Sequence, residues 1–166
     1  MICVTTSAPE TRALAGEVAE VAEAGDLLLL VGDLGTGKTT FVQGFGRGLG
    51  VRQPITSPTF VLVHSYEGRL ELFHADAYRL CGLAEVEDLG LTQLIDQKGV
   101  AVVEWGELAA PLSGEDYLEV RFELDGADED RRRLRLRPVG PRWQARGDEL
   151  GRRLRRFQEA GEARLP

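Results

Sequence analysis

A glycine-rich segment that ends in Lys-Thr carries the residue types needed to bind a nucleoside triphosphate. Residues 32–39, G-D-L-G-T-G-K-T, fit the pattern G-x-x-x-x-G-K-[ST] of phosphate-binding loops. In such a loop the glycines let backbone N–H groups point at phosphate oxygens, the lysine reaches the β and γ phosphates, and the last hydroxyl holds Mg²⁺. The residues predicted to contact the nucleotide are Leu34, Gly35, Thr36, Gly37, Lys38, Thr39 and Thr40.

Phosphoryl transfer also needs an acidic side chain near the loop, because an acid at the end of a neighbouring strand commonly supports Mg²⁺. Glu104 directly follows the apolar run 100–103, and a carboxylate at the carboxyl end of a buried parallel strand points into the ligand crevice of an open α/β sheet. Asp76 ends another β-like stretch. We predict Glu104 as a metal ligand, whereas the pattern leaves Asp76 open between a water-positioning residue and a solvated turn residue.

Three other polar features have a simpler interpretation. Residues 56–59, T-S-P-T, form either a turn, which the pattern favours, or a switch that senses the γ-phosphate. His64 and His74 alternate with apolar residues and have no partner at metal-ligand spacing, so we interpret both as structural. Cys3 and Cys81 belong to no C-x-x-C pair and are interpreted as small buried hydrophobic residues.

The elements around the loop follow an α/β pattern. Ser7 and Glu10 have the spacing of a capping box and predict the start of a first helix, and the apolar run 27–31 predicts a strand that leads into the loop. A helix should follow the loop, because Phe41, Phe45 and Leu49 form one apolar stripe. Glycines at positions 44, 46 and 48 weaken that helix by about 1 kcal/mol each, so it must depend on packing and on bound phosphate.

The rest of the chain predicts strands and a closing helix. The β-like stretches 60–66 and 69–76 flank Glu67-Gly68, which is the spacing of a tight hairpin. Residues 117–124 and 133–137 alternate polar with apolar and predict an antiparallel edge hairpin, in which Glu119 and Glu123 face arginines. An arginine-rich helix at about 141–160 should dock on the domain through Trp143, Leu150, Leu154 and Phe157.

Length and composition indicate one globular domain over 1–166, with a core at about 5–140. No apolar run is long enough to cross a membrane and no basic leader precedes an apolar stretch, so we expect a cytoplasmic protein with no membrane contact. The net charge of −7 argues against a surface that itself binds nucleic acid. Residues 131–166, however, contain 12 basic and 4 acidic side chains. This excess of positive charge indicates either a solvated hairpin and helix or a contact with a partner or RNA.

Four motifs together resemble the TsaE family, formerly called YjeE. They are G-D-L-G-T-G-K-T-T-F at 32–41, S-P-T-F at 57–60, D-A-Y-R-L at 76–80 and E-W-G-E at 104–107, and the resemblance extends over about 5–140. This family is the bacterial ATPase required for threonylcarbamoyladenosine formation in tRNA next to the anticodon. The resemblance implies an α/β fold of the P-loop NTPase type, with a mixed central sheet flanked by helices.

The resemblance also implies roles for individual residues and partners. Lys38 matches the phosphate-binding lysine, Thr39 and Glu104 match magnesium-contacting positions, Asp76 matches an acidic residue needed for hydrolysis, and Trp105 matches a tryptophan beside the nucleotide. Ser57, Pro58, Thr59 and Phe60 become a switch rather than a turn. The implied cofactor is Mg²⁺ with ATP, and the implied partners are the TsaB and TsaD subunits. TsaD performs the transfer, so tRNA is contacted only through the complex.

Two other functions remain open at this point. A small-molecule kinase of P-loop fold would need an arginine-rich lid, but Arg79 is nearly isolated between the two acidic motifs. A nucleotide-dependent interaction module would bind ATP and hydrolyse it only incidentally. A GTPase is disfavoured because residues 96–99, D-Q-K-G, do not supply a guanine-reading motif. We expect an ATPase that is slow alone and stimulated by partners, with Arg79 or a partner residue as the arginine finger.

Overall fold

A single mixed sheet forms the centre of the computed structural model, which describes residues 1–58, 63–78, 90, 99–107, 116–124 and 130–159. Its strand order is β1-β7-β6-β2-β5-β4-β3. The strands are β1 (Ile2–Thr5), β2 (Leu27–Val31), β3 (Val63–Tyr66), β4 (Leu72–Asp76), β5 (Val100–Glu104), β6 (Tyr117–Leu124) and β7 (Arg132–Val139). Strands β4, β5, β2 and β6 run parallel, whereas β3, β7 and β1 pair antiparallel. The predicted α/β fold with a mixed sheet and flanking helices is confirmed.

The helices pack on the sheet through apolar residues that the sequence pattern had identified. They are α1 (Ala8–Glu20), α2 (Lys38–Gly48), α3 (Gly140–Ala145), α4 (Gly147–Arg153) and a 3₁₀ helix (Arg155–Phe157). The capping box is confirmed, because Oγ of Ser7 accepts a hydrogen bond from the Glu10 N–H at 3.3 Å. The stripe on α2 is buried in the core with α1 and with the inward side chains of the sheet. None of the described helices is long and apolar enough to span a bilayer.

The glycines of α2 allow α1 and α2 to pack closely. A Cβ atom at Gly44 would overlap the backbone of Arg12 on α1, and one at Gly48 would lie 2.6 Å from Cβ of Ala19. Close contact between the helix backbones therefore compensates for the low helix propensity of glycine at these positions.

Gly44→Ala is expected to destabilise the fold by about 1–3 kcal/mol, because neither backbone can yield without moving a helix. The matched control is Gly151→Ala on α4, where a Cβ atom meets nothing within 4 Å. Alanine there should stabilise the helix by up to about 1 kcal/mol. Urea unfolding measures both changes, and equal effects at the two sites would contradict the close packing of α1 on α2.

The structure corrects several expectations about the sheet. The β6–β7 hairpin is antiparallel as predicted, and Arg137 contacts Glu119 across it at 2.9 Å. It is not the edge, however, because β1 pairs with β7 beyond it, and the sequence analysis did not predict β1. The β3–β4 connection spans five residues, 67–71, rather than the predicted two. It is longer because the Arg69 N–H donates to the Leu49 carbonyl and the Arg69 side chain donates to the carbonyls of Ala19 and Ala22.

The predicted closing helix is three short segments, which are α3, α4 and the 3₁₀ helix. The helix is interrupted at Arg146 and Leu154, whose ψ angles of 1° lie outside the α-helical region. The docking surface is as expected: Trp143, Leu150, Leu154 and Phe157 are all buried. The residues Thr59, Phe60, Arg79 and Cys81, which the sequence analysis named, lie outside the described residues.

Candidate functional site

The candidate site lies where three parallel strands end at the same edge of the sheet. Strand β2 leads into the phosphate-binding loop, β5 ends at Glu104 and β4 ends at Asp76. Asp76 and Glu104 are register partners, and the N–H of Ala77 donates to the Glu104 carbonyl at 3.0 Å. Topology thus brings the loop and both predicted acidic residues together, although these segments are far apart in the chain.

The phosphate-binding loop has a backbone suited to an anion. Gly37 caps α2 with φ of 105°, a left-handed conformation that favours glycine, and α2 begins at the next residue. The free N–H groups of the first turn of α2 therefore face the loop, where the helix dipole is positive. The Thr36 hydroxyl fixes the bend by donating to the Asp33 carbonyl at 2.8 Å. Leu34 lies exposed at the tip of the loop, and Thr40 is half-buried in the first turn of α2.

Lys38 lies folded against the loop. Its Nζ donates to the Gly32 carbonyl at 2.6 Å and to the Asp33 carbonyl at 2.8 Å, and it lies 4.0 Å from the centre of the Trp105 ring. Burial lowers the pKa of Lys38, although the charges of neighbouring carboxylates, Glu104 foremost, oppose this shift. A polyphosphate would supply negative charge to the same ammonium group, so an anion at this place is favoured electrostatically.

Thr39 and Glu104 form the oxygen-rich part of the site. The Thr39 hydroxyl lies 2.8 Å and 3.1 Å from the two carboxylate oxygens of Glu104. Hydroxyl and carboxylate oxygens are the donors that Mg²⁺ takes, and in nucleotide sites it uses one or two protein groups together with phosphate oxygens and water. The pair therefore fits a magnesium ion that accompanies a bound nucleotide.

Asp76 is held by two donors on opposite sides. Ser57 Oγ donates to Oδ2 at 3.0 Å, and the N–H of Tyr78 donates to Oδ1 at 3.0 Å. Asp76 is 7% exposed, so it is not the solvated turn residue that the sequence pattern left open. The contact with Ser57 joins the predicted switch segment to the predicted hydrolytic residue, and Pro58 next to it is buried.

Trp105 adopts a strained backbone conformation directly after Glu104. Its φ is 59°, which is rare for a large side chain and costs about 1–3 kcal/mol. The turn is maintained because the N–H of Gly106 donates to the Leu30 carbonyl at 3.0 Å. The indole ring packs against Tyr78, with ring centres 5.0 Å apart, and covers Lys38. Such outliers collect at functional sites.

Two residues near the site were missed by the sequence analysis. His74 was interpreted as a structural residue because the sequence offers it no partner at metal-ligand spacing, but its Nε2 lies 2.9 Å from Oε1 of Glu104. Arg132 of β7 donates to the Thr36 carbonyl of the loop at 3.1 Å. The only signal for His74 was its alternation with Asp76, which places the two on one face of β4. Arg132 carried no signal within the arginine-rich segment.

Comparisons with known proteins agree on one family. A family model described as "Threonylcarbamoyl adenosine biosynthesis protein TsaE" matches residues 5–134. A protein of Bacillus subtilis named "tRNA threonylcarbamoyladenosine biosynthesis protein TsaE" is 40% identical over 89% of this chain and 92% of its own length. A protein of the same name from Streptomyces coelicolor is 44% identical over 80% of this chain and 93% of its own length. The crystal structure of Bacillus subtilis YdiB superposes with a TM-score of 0.75 at 35% identity, covering 92% of this chain and 94% of that one.

Proposed function

This chain belongs to the TsaE family, and from that premise we propose that it is the ATP-hydrolysing subunit of the machinery that makes threonylcarbamoyladenosine in tRNA. One observation carries the proposal. A phosphate-binding loop lies beside the Thr39–Glu104 pair, with Asp76 at the end of the adjacent parallel strand. These are the parts that phosphoryl transfer to water requires: a phosphate cradle, a metal-supporting acid and a second acid.

Binding would begin at the loop. The N–H groups at the start of α2 would surround the β-phosphate, and Lys38 would leave the carbonyls of Gly32 and Asp33 to contact the β and γ phosphates. Trp105 would then lie beside the nucleotide, because its ring covers Lys38 at 4.0 Å in the described conformation. A change in Trp105 fluorescence is therefore the natural signal for binding.

The metal-supporting residues in the proposal are Thr39 and Glu104. A bound Mg²⁺ would neutralise charge on the β and γ phosphate oxygens. The Thr39 hydroxyl and the Glu104 carboxylate are the oxygen donors that would hold the ion. Their present separation of 2.8 Å means that little rearrangement is required.

Hydrolysis would rely on Asp76 as the residue that positions water. Water attacks the γ-phosphorus, the bond to the β–γ bridging oxygen breaks, ADP leaves with that oxygen, and the proton lost by the water passes to the released phosphate. Asp76 accepts a hydrogen bond from Ser57 Oγ in the predicted switch. Through this hydrogen bond, the presence or loss of the γ-phosphate would change the conformation of the segment around Pro58. We propose slow hydrolysis by the chain alone, with TsaB and TsaD completing the site.

The proposal is tested by measuring phosphate release from ATP and Mg²⁺ by the purified chain, alone and with TsaB and TsaD. We expect a slow basal rate that rises when both partners are added. A pull-down in ATP and in ADP reports association independently of chemistry. Failure to associate in either nucleotide state contradicts the family-based role, whereas association with unstimulated hydrolysis identifies an interaction module.

Asp76→Asn is expected to lower the partner-stimulated rate by about 100-fold while ATP affinity stays within about threefold of the wild type. The amide keeps the size of the side chain but loses the charge that orients water, and general-base or positioning residues typically contribute 10²–10⁴-fold. Single-turnover phosphate release and calorimetric ATP binding measure the two quantities. Ser57→Ala is the matched variant, since it removes one hydrogen bond to Asp76 but leaves the carboxylate. An unchanged rate in Asp76→Asn would remove Asp76 from the hydrolytic step.

A further inference from the structure

His74 is a fully buried imidazole beside the acidic residue of the proposed metal site. It lies on β4 opposite Val102 of β5, so Glu104, two residues further along β5, is its diagonal neighbour on the same face. Nε2 of His74 is 2.9 Å from Oε1 of Glu104, and the two residues are 0% and 4% exposed. The contact therefore forms away from water, where a hydrogen bond is electrostatically strong.

The partners of the two ring nitrogens indicate where the proton of His74 lies. A carboxylate only accepts hydrogen bonds, so Nε2 must be the donor to Glu104. Nδ1 is buried and has no hydrogen-bond partner within the part of the chain that the structure describes. A buried N–H without an acceptor costs about 1–3 kcal/mol, which disfavours a proton on Nδ1. The contact with Glu104 therefore places a donated proton on Nε2.

We propose that His74 is a positioning residue that orients the Glu104 carboxylate toward Thr39 and toward the Mg²⁺ of a bound nucleotide. The inference rests on the proposed function above. Oε1 of Glu104 accepts one hydrogen bond from Thr39 at 2.8 Å and one from His74 at 2.9 Å, so two donors from different elements converge on one carboxylate oxygen and restrict its rotation. Among the described residues, the other side-chain donor to Glu104 is Thr39, which a bound metal would also engage, so loss of His74 leaves the carboxylate less restrained. Hydrogen bonds behind a metal-supporting residue typically change metal affinity by 10–100-fold.

The test compares His74→Leu, which removes the donor, with His74→Gln, whose amide can still donate to Glu104. Calorimetry measures the affinity for a non-hydrolysable ATP analogue in Mg²⁺ and in EDTA, and thermal unfolding checks the fold. In His74→Leu we expect the gain in affinity caused by Mg²⁺ to fall by about 10-fold or more, with affinity in EDTA unchanged. His74→Gln should recover most of the gain. A residue that only fills the core would not alter magnesium dependence selectively.

The outcomes separate this inference from the function on which it rests. If the wild type needs Mg²⁺ for tight binding and a folded His74→Leu shows the same dependence, the positioning role is wrong and the proposed function stands. If the wild type binds no analogue, or binds it regardless of Mg²⁺, the proposed function fails and the positioning role fails with it. If His74→Leu does not fold, His74→Asn replaces it, because the asparagine side chain is too short for its amide to reach Glu104. Equal magnesium dependence of analogue binding in His74→Asn and His74→Gln then overturns the proposal.

Discussion

Replacing Lys38 with alanine is expected to weaken ATP binding by about 100-fold and to abolish the phosphate release stimulated by TsaB and TsaD. A hydrogen bond to a charged partner contributes about 1.5–3 kcal/mol, and about 2.7 kcal/mol corresponds to a hundredfold change in affinity. Lys38 is 4% exposed at the start of α2, and its ammonium group donates to the carbonyls of Gly32 and Asp33 at the start of the loop. The loss should therefore appear in the dissociation constant, measured by calorimetry, as well as in the rate.

Lys38→Arg is the matched control for charge alone. The chain uses arginine for 18 of its 20 basic residues, so a lysine here indicates a requirement for a compact ammonium group. A planar guanidinium is larger than the ammonium group that lies against two backbone carbonyls and the Trp105 ring, and we expect Lys38→Arg to recover less than a tenth of the stimulated activity. Thermal unfolding of both variants shows whether the fold survives the loss of the hydrogen bonds to Gly32 and Asp33. ATP binding within threefold of the wild type in Lys38→Ala would contradict the proposed phosphate contact.

Those parts of the site that depend on a few consecutive residues could be predicted from the sequence. The turn into α2 is one, because the conformation of Gly37 and the start of the helix at Lys38 depend on residues next to one another in the chain. The capping box at Ser7 and the alternation in β6 and β7 are others. In each case the interactions that determine the local structure lie within a short stretch of chain, so the residue pattern of that stretch is sufficient to predict the structure.

The parts that depend on strand order could not be predicted in this way. His74 and Glu104 meet only because β4 lies beside β5, and Arg132 reaches Thr36 across 96 positions of the chain. Strand β1 has four residues, too few for a distinct pattern, and it is stabilised by pairing with β7 at the other end of the chain. The glycines of α2 illustrate the same point: their cost to the helix is visible locally, but the close approach of Arg12 that requires Gly44 is not.

Asp26→Ala is expected to destabilise the fold by about 3–5 kcal/mol, because it removes the carboxylate to which the largely buried Arg146 donates two hydrogen bonds. Asp26 lies directly before β2, and its two carboxylate oxygens accept hydrogen bonds from Arg146 at 2.6 Å and 2.8 Å. It also accepts from the N–H of Glu23 at 2.8 Å. Burial alone would lower the pKa of Arg146, but the hydrogen bond and charge of Asp26 raise it above its ordinary value, so the arginine stays charged. For a domain of this size the loss corresponds to a fall in Tm on the order of 10 °C.

The matched control for the Asp26 variant is Glu17→Ala. Glu17 also connects the C-terminal segments to the first half of the chain, through Arg153 and Arg156 at 3.3 Å each, but these ion pairs are exposed. Exposed pairs contribute about 0–1 kcal/mol, so Glu17→Ala should change the free energy of unfolding only slightly. The double variant Asp26→Ala, Arg146→Met should be more stable than Asp26→Ala, since it removes the unpaired charge and keeps an apolar side chain near Trp143. Equal losses in Asp26→Ala and Glu17→Ala would show that burial adds nothing to the strength of the Asp26–Arg146 pair. The expected difference means that α3 and α4, which are joined at Arg146, stabilise β2, the strand that leads into the predicted phosphate-binding loop.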